Sequence, residues 1–261
     1  MGLAALTIDL TAPGPLLLAL LFLLGGLAGF ISAIAGAGGL LVLPTLLTLG
    51  LDPIAALATN KLQNVFGTAS SMVNYFRKGK IELRGMGSAI GCALAGSALG
   101  TFAVQRIDSA WLAWLIPLLL IAITLYFLFS PRVGEQDARP RLSHRGFALS
   151  AALGIGFYGG FFGPGIGSLF AAAFVALRGY NLVRATAHTK VLVFTTNIAS
   201  LLLFISAGQV LWSIGLTMAA GQVIGARMGS NLVIRKGAGL VKPLIIVATL
   251  ALAARLLWQQ F

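Results

Sequence analysis

The sequence predicts an all-α integral membrane protein made of two inverted-topology repeats, each with about four full transmembrane helices plus a short Gly-flanked segment. Its apolar composition, a duplicated motif and an exchange of basic loops between the halves lead to this prediction. Of the 261 residues, 58% are hydrophobic and 9% charged, with a mean hydropathy of +0.96. In soluble domains, about a quarter of the residues are charged. The composition therefore indicates a bilayer protein and excludes a soluble core of this size.

A Gly-rich break followed by an Ala-x-x-Lys segment occurs twice. The first copy reads GAGG at residues 36–39 and ATNK ending at Lys61, and the second reads GIGS at residues 165–168 and AHTK ending at Lys190. The lysines are 129 positions apart (190 − 61). The same shift, with no gap, pairs Gly25 with Gly154, Gly50 with Gly179, Gly79 with Gly208, Gly96 with Gly225, Gly100 with Gly229 and Arg106 with Arg235. We infer that one ancestral half was duplicated.

The first repeat is predicted to contain four crossings and one segment that is too short to cross. Residues 16–35 are long enough, at about 1.5 Å per residue against roughly 30 Å of hydrocarbon. Residues 40–49 reach only about 15 Å as a helix, so the break before them is expected near membrane depth. Pro53 suits the first turn of a new helix. The remaining crossings are expected at residues 55–76, 87–105 and 111–129.

The second repeat shows the same order of segments after one long polar connection. Residues 131–145 carry four arginines and are predicted to form a flexible cytoplasmic linker. This divides the chain into a first membrane repeat (1–130), a linker (131–146) and a second membrane repeat (147–261). The segments of the second repeat are expected at residues 147–162, 169–177 (short), 185–206, 214–234 and 241–258.

The basic loops predict that the second repeat is inverted. The basic loop at residues 77–84 corresponds to the uncharged loop at 207–213, whereas the loop of Asp52 corresponds to the one carrying Arg178 and Arg184. Cytoplasmic loops are rich in Lys and Arg, and five segments per half, when the short one is counted as a crossing, also require inversion. Both termini are therefore expected outside the membrane. Basic residues between apolar runs do not indicate a nucleic-acid partner.

Inverted repeats with short, Gly-interrupted segments at matching positions are typical of transporters whose site lies at the repeat interface near the midplane. Backbone N–H groups freed at such a break attract anions. We therefore predict that Gly36, Gly38, Gly165 and Gly167 contribute to the site. In contrast, the small-xxx-small pairs Gly96/Gly100 and Gly225/Gly229 favour close helix packing.

Two intramembrane lysines indicate what the site binds. Lys61 and Lys190 are each expected about 12 Å into the bilayer, where a cation costs about 2.5 to 3.5 kcal/mol and marks a functional position unless it snorkels to an interface. Two cations among amides and hydroxyls describe an anion site. The predicted neighbours are Asn60 and Thr189 beside the lysines, Asn64 and Thr68 on the helix face of Lys61, and Asn197 on that of Lys190.

All six carboxylates fall in loops or at the ends of spans. They are therefore not expected to neutralise the lysines or bind Na⁺, so either the substrate or loss of the lysine proton supplies the compensation. Export driven by the membrane potential is the simplest mechanism. A proton carried by His188 is the alternative, although this histidine and Gln222 also suit structural roles. The single cysteine, Cys92, offers no disulfide or metal cluster, and we predict no cofactor or metal.

The two Gly-rich breaks, each followed about twenty residues later by ATNK or AHTK, resemble the sulfite exporter TauE/SafE family. The resemblance extends from about Gly25 to Val241. It implies transport of small sulfur oxyanions and organosulfonates, such as sulfite, across bacterial inner membranes, with the Gly36 and Gly165 loops and the Asn60-Lys61 and Thr189-Lys190 segments as the site. Ser168 stands where the first half has Gly39, so the two loops need not contribute equally.

The sequence therefore favours an exporter of small sulfur-containing anions, with the lipid bilayer and the anion as its partners. An anion channel, or a proton-coupled importer of sulfonates or related anions, remains an alternative. A membrane enzyme is disfavoured because the spans hold no Cys/His, Ser/His or paired-carboxylate constellation. The sequence leaves the oligomeric state open, including a homo-oligomer.

Overall fold

The structure, a computed structural model, describes residues 13–129 and 137–236. Every regular element within these ranges is helical. The helices are α1 (Pro15–Ala35), α2 (Gly39–Thr48), α3 (Pro53–Arg77), α4 (Gly87–Val104), α5 (Ser109–Phe129), α6 (His144–Phe147), a π-helical turn (Ala148–Ala152), α7 (Leu153–Phe161), α8 (Ile166–Arg178), α9 (Leu182–Ser206) and α10 (Trp212–Lys236).

The helix boundaries follow local sequence signals. Helix α1 ends at Gly36, whose φ of 70° reverses the chain while its N–H still bonds to the carbonyl of Ser32. Helices α3 and α9 begin after Asp52 and Asn181, whose side chains accept a backbone N–H of the first turn. Both helices have 25 residues and start and end 129 positions apart. The described boundaries thus preserve the spacing of the sequence repeat.

The described part of the second repeat differs from the prediction at its first span. The expected continuous segment at 147–162 starts earlier, at His144, and contains the π-helical turn before α7. Three described helices, α1, α4 and α9, are long and apolar enough to cross a membrane. Helices α3 and α10 have 25 residues each but carry more polar side chains. The predicted span at 241–258 lies outside the described residues.

Helix α1 packs most closely against α10, and the two helices run in the same direction. Glycines on each helix lie against the backbone of the other. An added side chain on Gly25 would overlap the backbone of Met218, and one on Gly29 would overlap that of Gln222. An added side chain on Gly229 would overlap the backbone of Phe30. Residue numbers rise together along both helices, which defines the parallel orientation. The packing role predicted for Gly225 and Gly229 is confirmed, because both lie against α1.

The same arrangement recurs between α4 and α7. Added side chains on Gly96 and Gly100 would overlap the backbone of Leu153 and Phe157, while ones on Gly156 and Gly160 would overlap Ala93 and Ser97. These helices also run parallel, and the packing role predicted for Gly96 and Gly100 is confirmed. By the 129-residue shift, α7 is the counterpart of α1 and α10 is the counterpart of α4. The two helix pairs are therefore related to each other by the repeat.

Polar contacts complete two helix groups. Asn74 of α3 donates to Ser230 of α10 at 2.7 Å, and an added side chain on Gly67 of α3 would meet Gln222 of α10. Ser97 and Thr101 of α4 bond with Ser200 of α9, each at 2.8 Å. One group thus comprises α1, α3 and α10, and the other comprises α4, α7 and α9. Each group takes helices from both halves of the sequence.

Helices α3 and α9 run in opposite directions. The N–H of Glu82, just beyond the end of α3, bonds to His188 near the start of α9. The N–H of Leu211, just beyond the end of α9, bonds to Thr59 near the start of α3. Each helix therefore begins where the other ends. Since α9 is the repeat counterpart of α3, the two copies of this helix are antiparallel.

One end of the molecule collects the basic connections and the described part of the linker. Ala138 donates to the Gly179 carbonyl at 2.7 Å, and Arg141 and Leu142 donate to the Leu177 carbonyl at 3.0 Å each. Backbone hydrogen bonds therefore join residues 138–142 of the predicted linker to the last turn of α8 and to Gly179 after it, while its flexibility and cytoplasmic position stay predictions. We call this part of the molecule the basic end; it also carries Lys78, Lys80, Arg84, Arg139, Arg145, Arg178 and Arg184.

Candidate anion-binding site

The two Gly-rich breaks touch each other directly. A side chain on Gly36 would overlap the backbone of Gly167 and Ser168, and one on Gly167 would overlap Gly36. Gly165, with a φ of 79°, is the residue that starts α8. Close approach at Gly36 and Gly167, and the left-handed backbone at Gly36 and Gly165, explain why glycine occupies these positions. The contact brings the last turn of α1 and the first residue of α2, both from the first half, against the start of α8 from the second half.

Lys61 reaches from α3 into the second half of the chain. It is the ninth residue of α3, is only 1% exposed, and its Nζ donates to the carbonyl of Gly159 in α7. An added side chain on Gly163, whose φ is 99°, would meet this ammonium group. Gly163 therefore leaves the space that Lys61 occupies.

Lys190 makes the reciprocal contact. It is the ninth residue of α9, is 2% exposed, and its Nζ donates at 2.7 Å to the carbonyl of Ser32 in α1. Ser32 and Gly159 both lie in the last turn of the helix that precedes a break, where carbonyl groups carry partial negative charge. Each lysine thus reaches a helix C-terminus of the opposite half.

Both lysines line one cavity together with the two breaks. The described lining residues are Ser32, Gly36, Gly39, Asn60, Lys61, Asn64, Gly163, Gly165, Ile166, Gly167, Lys190, Val193 and Asn197. None of these residues is a carboxylate. The lining instead presents ammonium groups, side-chain amides and helix-break backbone, which are the donors that a small anion needs. The arrangement is therefore suited to binding an anion between the halves.

The amides on the Lys61 side belong to a connected network. Within α3, Asn60 Oδ1 accepts a hydrogen bond from Gln63 at 2.8 Å and one from Asn64 at 3.0 Å. From α10, Gln222 Nε2 donates to Gln63 Oε1 at 2.7 Å and to Asn64 Oδ1 at 3.2 Å. These contacts support the structural role suggested for Gln222 by the sequence. Its hydrogen bonds orient the amides that line the cavity.

The structure does not bring every predicted site residue to the cavity. Eight of the ten residues predicted to bind substrate are among its lining: Gly36, Gly165, Gly167, Asn60, Asn64, Asn197, Lys61 and Lys190. Gly38 packs against Ala28 and Ser32 instead. Thr189 is buried, and its hydroxyl has no hydrogen-bond partner among the described residues. Thr68 donates to the Asn64 carbonyl at 2.5 Å, so its hydroxyl serves the helix backbone.

Sequence reasoning missed five lining residues. Ser32 contributes its backbone carbonyl, which no side-chain pattern reveals, and Ile166 and Val193 are apolar residues without a motif. Gly39 and Gly163 lie in or beside the breaks, so the glycine clusters themselves were the available signal. Ser168, the departure from the first break, does not line the cavity; its hydroxyl donates to the Ala35 carbonyl at the end of α1.

His188 lies outside the cavity lining, toward the basic end. Its Nδ1 lies 2.8 Å from the Arg184 carbonyl, and its Nε2 accepts the N–H of Glu82 at 3.2 Å. These partners require a neutral ring with the proton on Nδ1. The geometry therefore assigns His188 a structural contact between the halves, and its predicted role as a proton carrier stays a prediction.

The cavity is small in this conformation. Its volume is about 20 Å³, whereas a single water requires at least about 10 to 15 Å³ on this measure. The cavity therefore admits about one water molecule and is too small for an oxyanion with several heavy atoms. The helices must separate before such an anion can enter.

Comparison with known proteins identifies the family. The model of the family described as "Sulfite exporter TauE/SafE" matches residues 21–256. The chain is 44% identical over 244 residues to a "Probable membrane transporter protein" of Haemophilus influenzae, covering 94% of this chain and 96% of that protein. It is 46% identical over 245 residues to "Probable membrane transporter protein YfcA" of Escherichia coli K12, covering 94% and 91%.

A more distant relative, "Probable membrane transporter protein YunE" of Bacillus subtilis, is 24% identical over 242 residues, covering 81% of this chain and 86% of that protein. No solved structure matches the chain. The family match covers most of the sequence, and the relatives are matched over most of their own length. The resemblance inferred from the Gly-rich breaks and the paired lysines is confirmed, and the chain is a membrane transporter that belongs to the sulfite exporter TauE/SafE family.

Proposed function

We propose that this protein exports small sulfur-containing anions, such as sulfite or organosulfonates, from a site between two inverted repeats. The convergence of Lys61 and Lys190, from opposite halves, on a single cavity supports the proposal most strongly. Positive charge together with amide donors favours an oxyanion over a cation or a neutral solute. The family name, which refers to sulfite, supports sulfur chemistry for the substrate.

The carbonyl contacts of the lysines explain how their buried positive charges are compensated when no substrate is bound. In the conformation observed, helix C-termini supply the partial negative charge that compensates each ammonium group. An arriving anion offers a full negative charge and competes with these carbonyls for both lysines. Binding therefore loosens two contacts between the halves at the moment when the substrate is captured.

The small cavity favours a carrier over a channel. An open channel keeps a water-filled path across the membrane, whereas a site with room for about one water molecule must change shape to admit its anion. We propose that the antiparallel α3 and α9 belong to halves inserted in opposite orientations. Such a pair can open the common site alternately toward either side.

The basic end is proposed to face the cytoplasm, in accordance with the distribution of Lys and Arg in membrane proteins. Reporter fusions should then place the α3–α4 connection and residues 137–143 inside, and the α9–α10 connection at residues 207–211 outside. Fusions at the two ends of the chain should both report outside. A cytoplasmic carboxyl terminus would remove the case for an inverted second repeat.

The substrate and the driving force can be tested together in proteoliposomes. Efflux of radiolabelled sulfite, with an organosulfonate and sulfate in parallel, should follow an imposed inside-negative potential. A potential of 100 mV contributes about 2.3 kcal/mol per charge, so a monoanion should reach roughly a fiftyfold concentration ratio and a dianion the square of that ratio. Saturation and counterflow would distinguish a carrier from a channel.

The same vesicles test the alternative of a proton-coupled importer. Valinomycin with equal K⁺ on both sides clamps the potential at zero, and a pH step is then imposed. The proposed uniport should show no accumulation under this condition. Accumulation against the anion gradient would contradict the uniport, and its disappearance in His188→Ala would identify this side chain as part of the proton pathway.

A further inference from the structure

The structure contains two equivalent hydrogen bonds, one at each end of the molecule. Thr59 Oγ1 accepts the N–H of Leu211 at 3.2 Å, and His188 Nε2 accepts the N–H of Glu82 at 3.2 Å. Thr59 and His188 are 129 positions apart (188 − 59), and so are Glu82 and Leu211 (211 − 82). The two bonds are therefore the same contact in the two copies of the repeat, with a threonine in one and a histidine in the other.

The acceptor of each bond lies within one helical turn of a site lysine. Thr59 precedes Lys61 by two residues on α3, and His188 precedes Lys190 by two residues on α9, which places each acceptor about 3 Å along the helix from its lysine. Thr59 is fully buried and His188 is 1% exposed. Each bond ties a lysine-bearing helix to the connection that follows the lysine-bearing helix of the other half. Separation of either helix from that connection would break the bond.

The bond at the basic end borders a large cavity. This cavity has a volume of about 480 Å³ and is lined by Gly79, Lys80, Glu82, Asn181, Val183, Arg184, His188 and Ile234. His188 contributes to its wall, and Lys190 lies one step deeper along α9. The large cavity and the small cavity thus reach α9 at His188 and at Lys190, two positions apart.

We propose that the His188–Glu82 and Thr59–Leu211 contacts each hold one side of the transporter closed, and that only the contact at the basic end responds to protons. We call these two contacts the gate latches. The proposal rests on the alternating opening described under the proposed function. His188 and Thr59 act as positioning residues, because they hold the gates and do not line the anion cavity. The chemical difference between the two side chains gives the two gates different controls.

The proton response follows from the donor and acceptor roles in the latch. Neutral His188 accepts at Nε2 while its Nδ1 faces the Arg184 carbonyl. A proton on Nε2 would place two donors against each other and break the bond to Glu82. A threonine hydroxyl gains no proton in the physiological range, so the Thr59 latch lacks this response. Acid on the basic side therefore favours opening of that side only.

Other charged groups surround His188 and belong to the same gate. Arg184 forms ion pairs at 3.3 Å with Glu82 and at 3.2 Å with Asp137, and its guanidinium lies over the Tyr180 ring. The Tyr180 ring meets the His188 ring edge-on at 5.0 Å between centroids. The titratable and charged groups around the latch are thus Lys80, Glu82, Asp137, Tyr180 and Arg184. Because these groups stay unchanged, substitutions at His188 isolate its contribution.

The test measures access to the site without any substrate, so it can fail independently of the proposed transport function. Cys92→Ser removes the single cysteine, and Val193→Cys then places a reporter thiol in the wall of the lysine cavity. A membrane-impermeant maleimide is added to right-side-out or inside-out vesicles that contain the full chain. Labelling from each side reports how often that gate opens.

His188→Ala should raise labelling from the basic side about two- to tenfold, the change expected from loss of one ordinary hydrogen bond. Thr59→Ala should raise labelling from the opposite side by a similar factor. His188→Thr, which copies the other latch, should restore low labelling. Equal labelling of His188→Ala and the parent from the basic side would overturn the latch, even if sulfite transport were established.

The proton response has its own readout. Because thiol reactivity itself changes with pH, labelling of the parent is divided by that of His188→Thr at each pH. This ratio should rise as the basic side is acidified from about pH 7 to about pH 5, because the neutral ring then gains a proton. A ratio that stays constant would overturn the proton response, and a rise on the opposite side would assign it to another group.

Discussion

Replacing Lys61 or Lys190 by methionine should nearly abolish anion transport and leave a folded protein. Methionine keeps most of the length of the side chain but removes the charge that the anion needs. Loss of one charge-assisted hydrogen bond costs about 1.5 to 3 kcal/mol, or roughly a ten- to hundredfold loss of transport, and loss of both should be larger. Uptake or efflux of labelled sulfite in proteoliposomes measures the effect.

Several variants separate charge from shape and from general damage. Lys→Ala at either position should lose transport to a similar degree, and Lys→Arg should recover only part of it, because a forked guanidinium differs in shape from a compact ammonium. Lys78→Ala is the matched control, since this lysine lies exposed in the connection after α3. Thermal unfolding checks the fold. Normal transport by both alanine variants would place the anion site elsewhere.

Gly36→Ala should produce the largest loss of stability among single substitutions at the breaks. Gly36 combines a φ of 70° with direct contact to the Gly167 backbone. A left-handed backbone costs a residue with a side chain about 1 to 2 kcal/mol, and overpacking costs about 1 to 3 kcal/mol more. Thermal unfolding in detergent should therefore show a decrease of several degrees or more.

Two further alanine variants separate the causes. Gly50 has a φ of 92° and open space around it, so Gly50→Ala tests backbone strain alone. Gly167 lacks the left-handed backbone but touches Gly36, so Gly167→Ala tests close approach alone. Gly36→Ala should exceed both. If Gly36→Ala and Gly50→Ala unfolded at the same temperature, the contact between the breaks would contribute little to the stability of the fold.

The sequence predicted most of the helices and most of the residues that line the cavity, because each had a strong local signal. The breaks followed from the glycines at Gly36 and Gly165 and the start of α3 from Pro53, and buried lysines are costly enough to mark a site wherever they occur. The repeat supplied the remaining constraint, because one lysine predicts its counterpart. Local chemistry and duplication thus accounted for the start of α3 and for the pairing of Lys61 with Lys190.

What the sequence did not reveal depends on backbone placed by tertiary packing. The compensation of the lysines was expected from substrate or from loss of a proton, yet Ser32 and Gly159 provide carbonyl groups whose role no side-chain pattern encodes. Thr189 matched the motif but lies outside the cavity lining. Residues 137–143 carried the composition of a loose linker, yet hydrogen bonds from positions such as Ala138 join them to the residues at the end of α8.

The interlocked packing of the two halves has a consequence for membrane insertion. Helix α1 finds its closest partner in α10, which emerges from the ribosome nearly 200 residues later. Until then, the small-residue surface around Gly25 and Gly29 faces lipid or the insertion machinery. Helix α4 is without its partner for a shorter time, because α7 begins only about 50 residues after α4 ends. The group of α4, α7 and α9 can therefore assemble before α10 is synthesised, whereas the group of α1, α3 and α10 forms only afterwards.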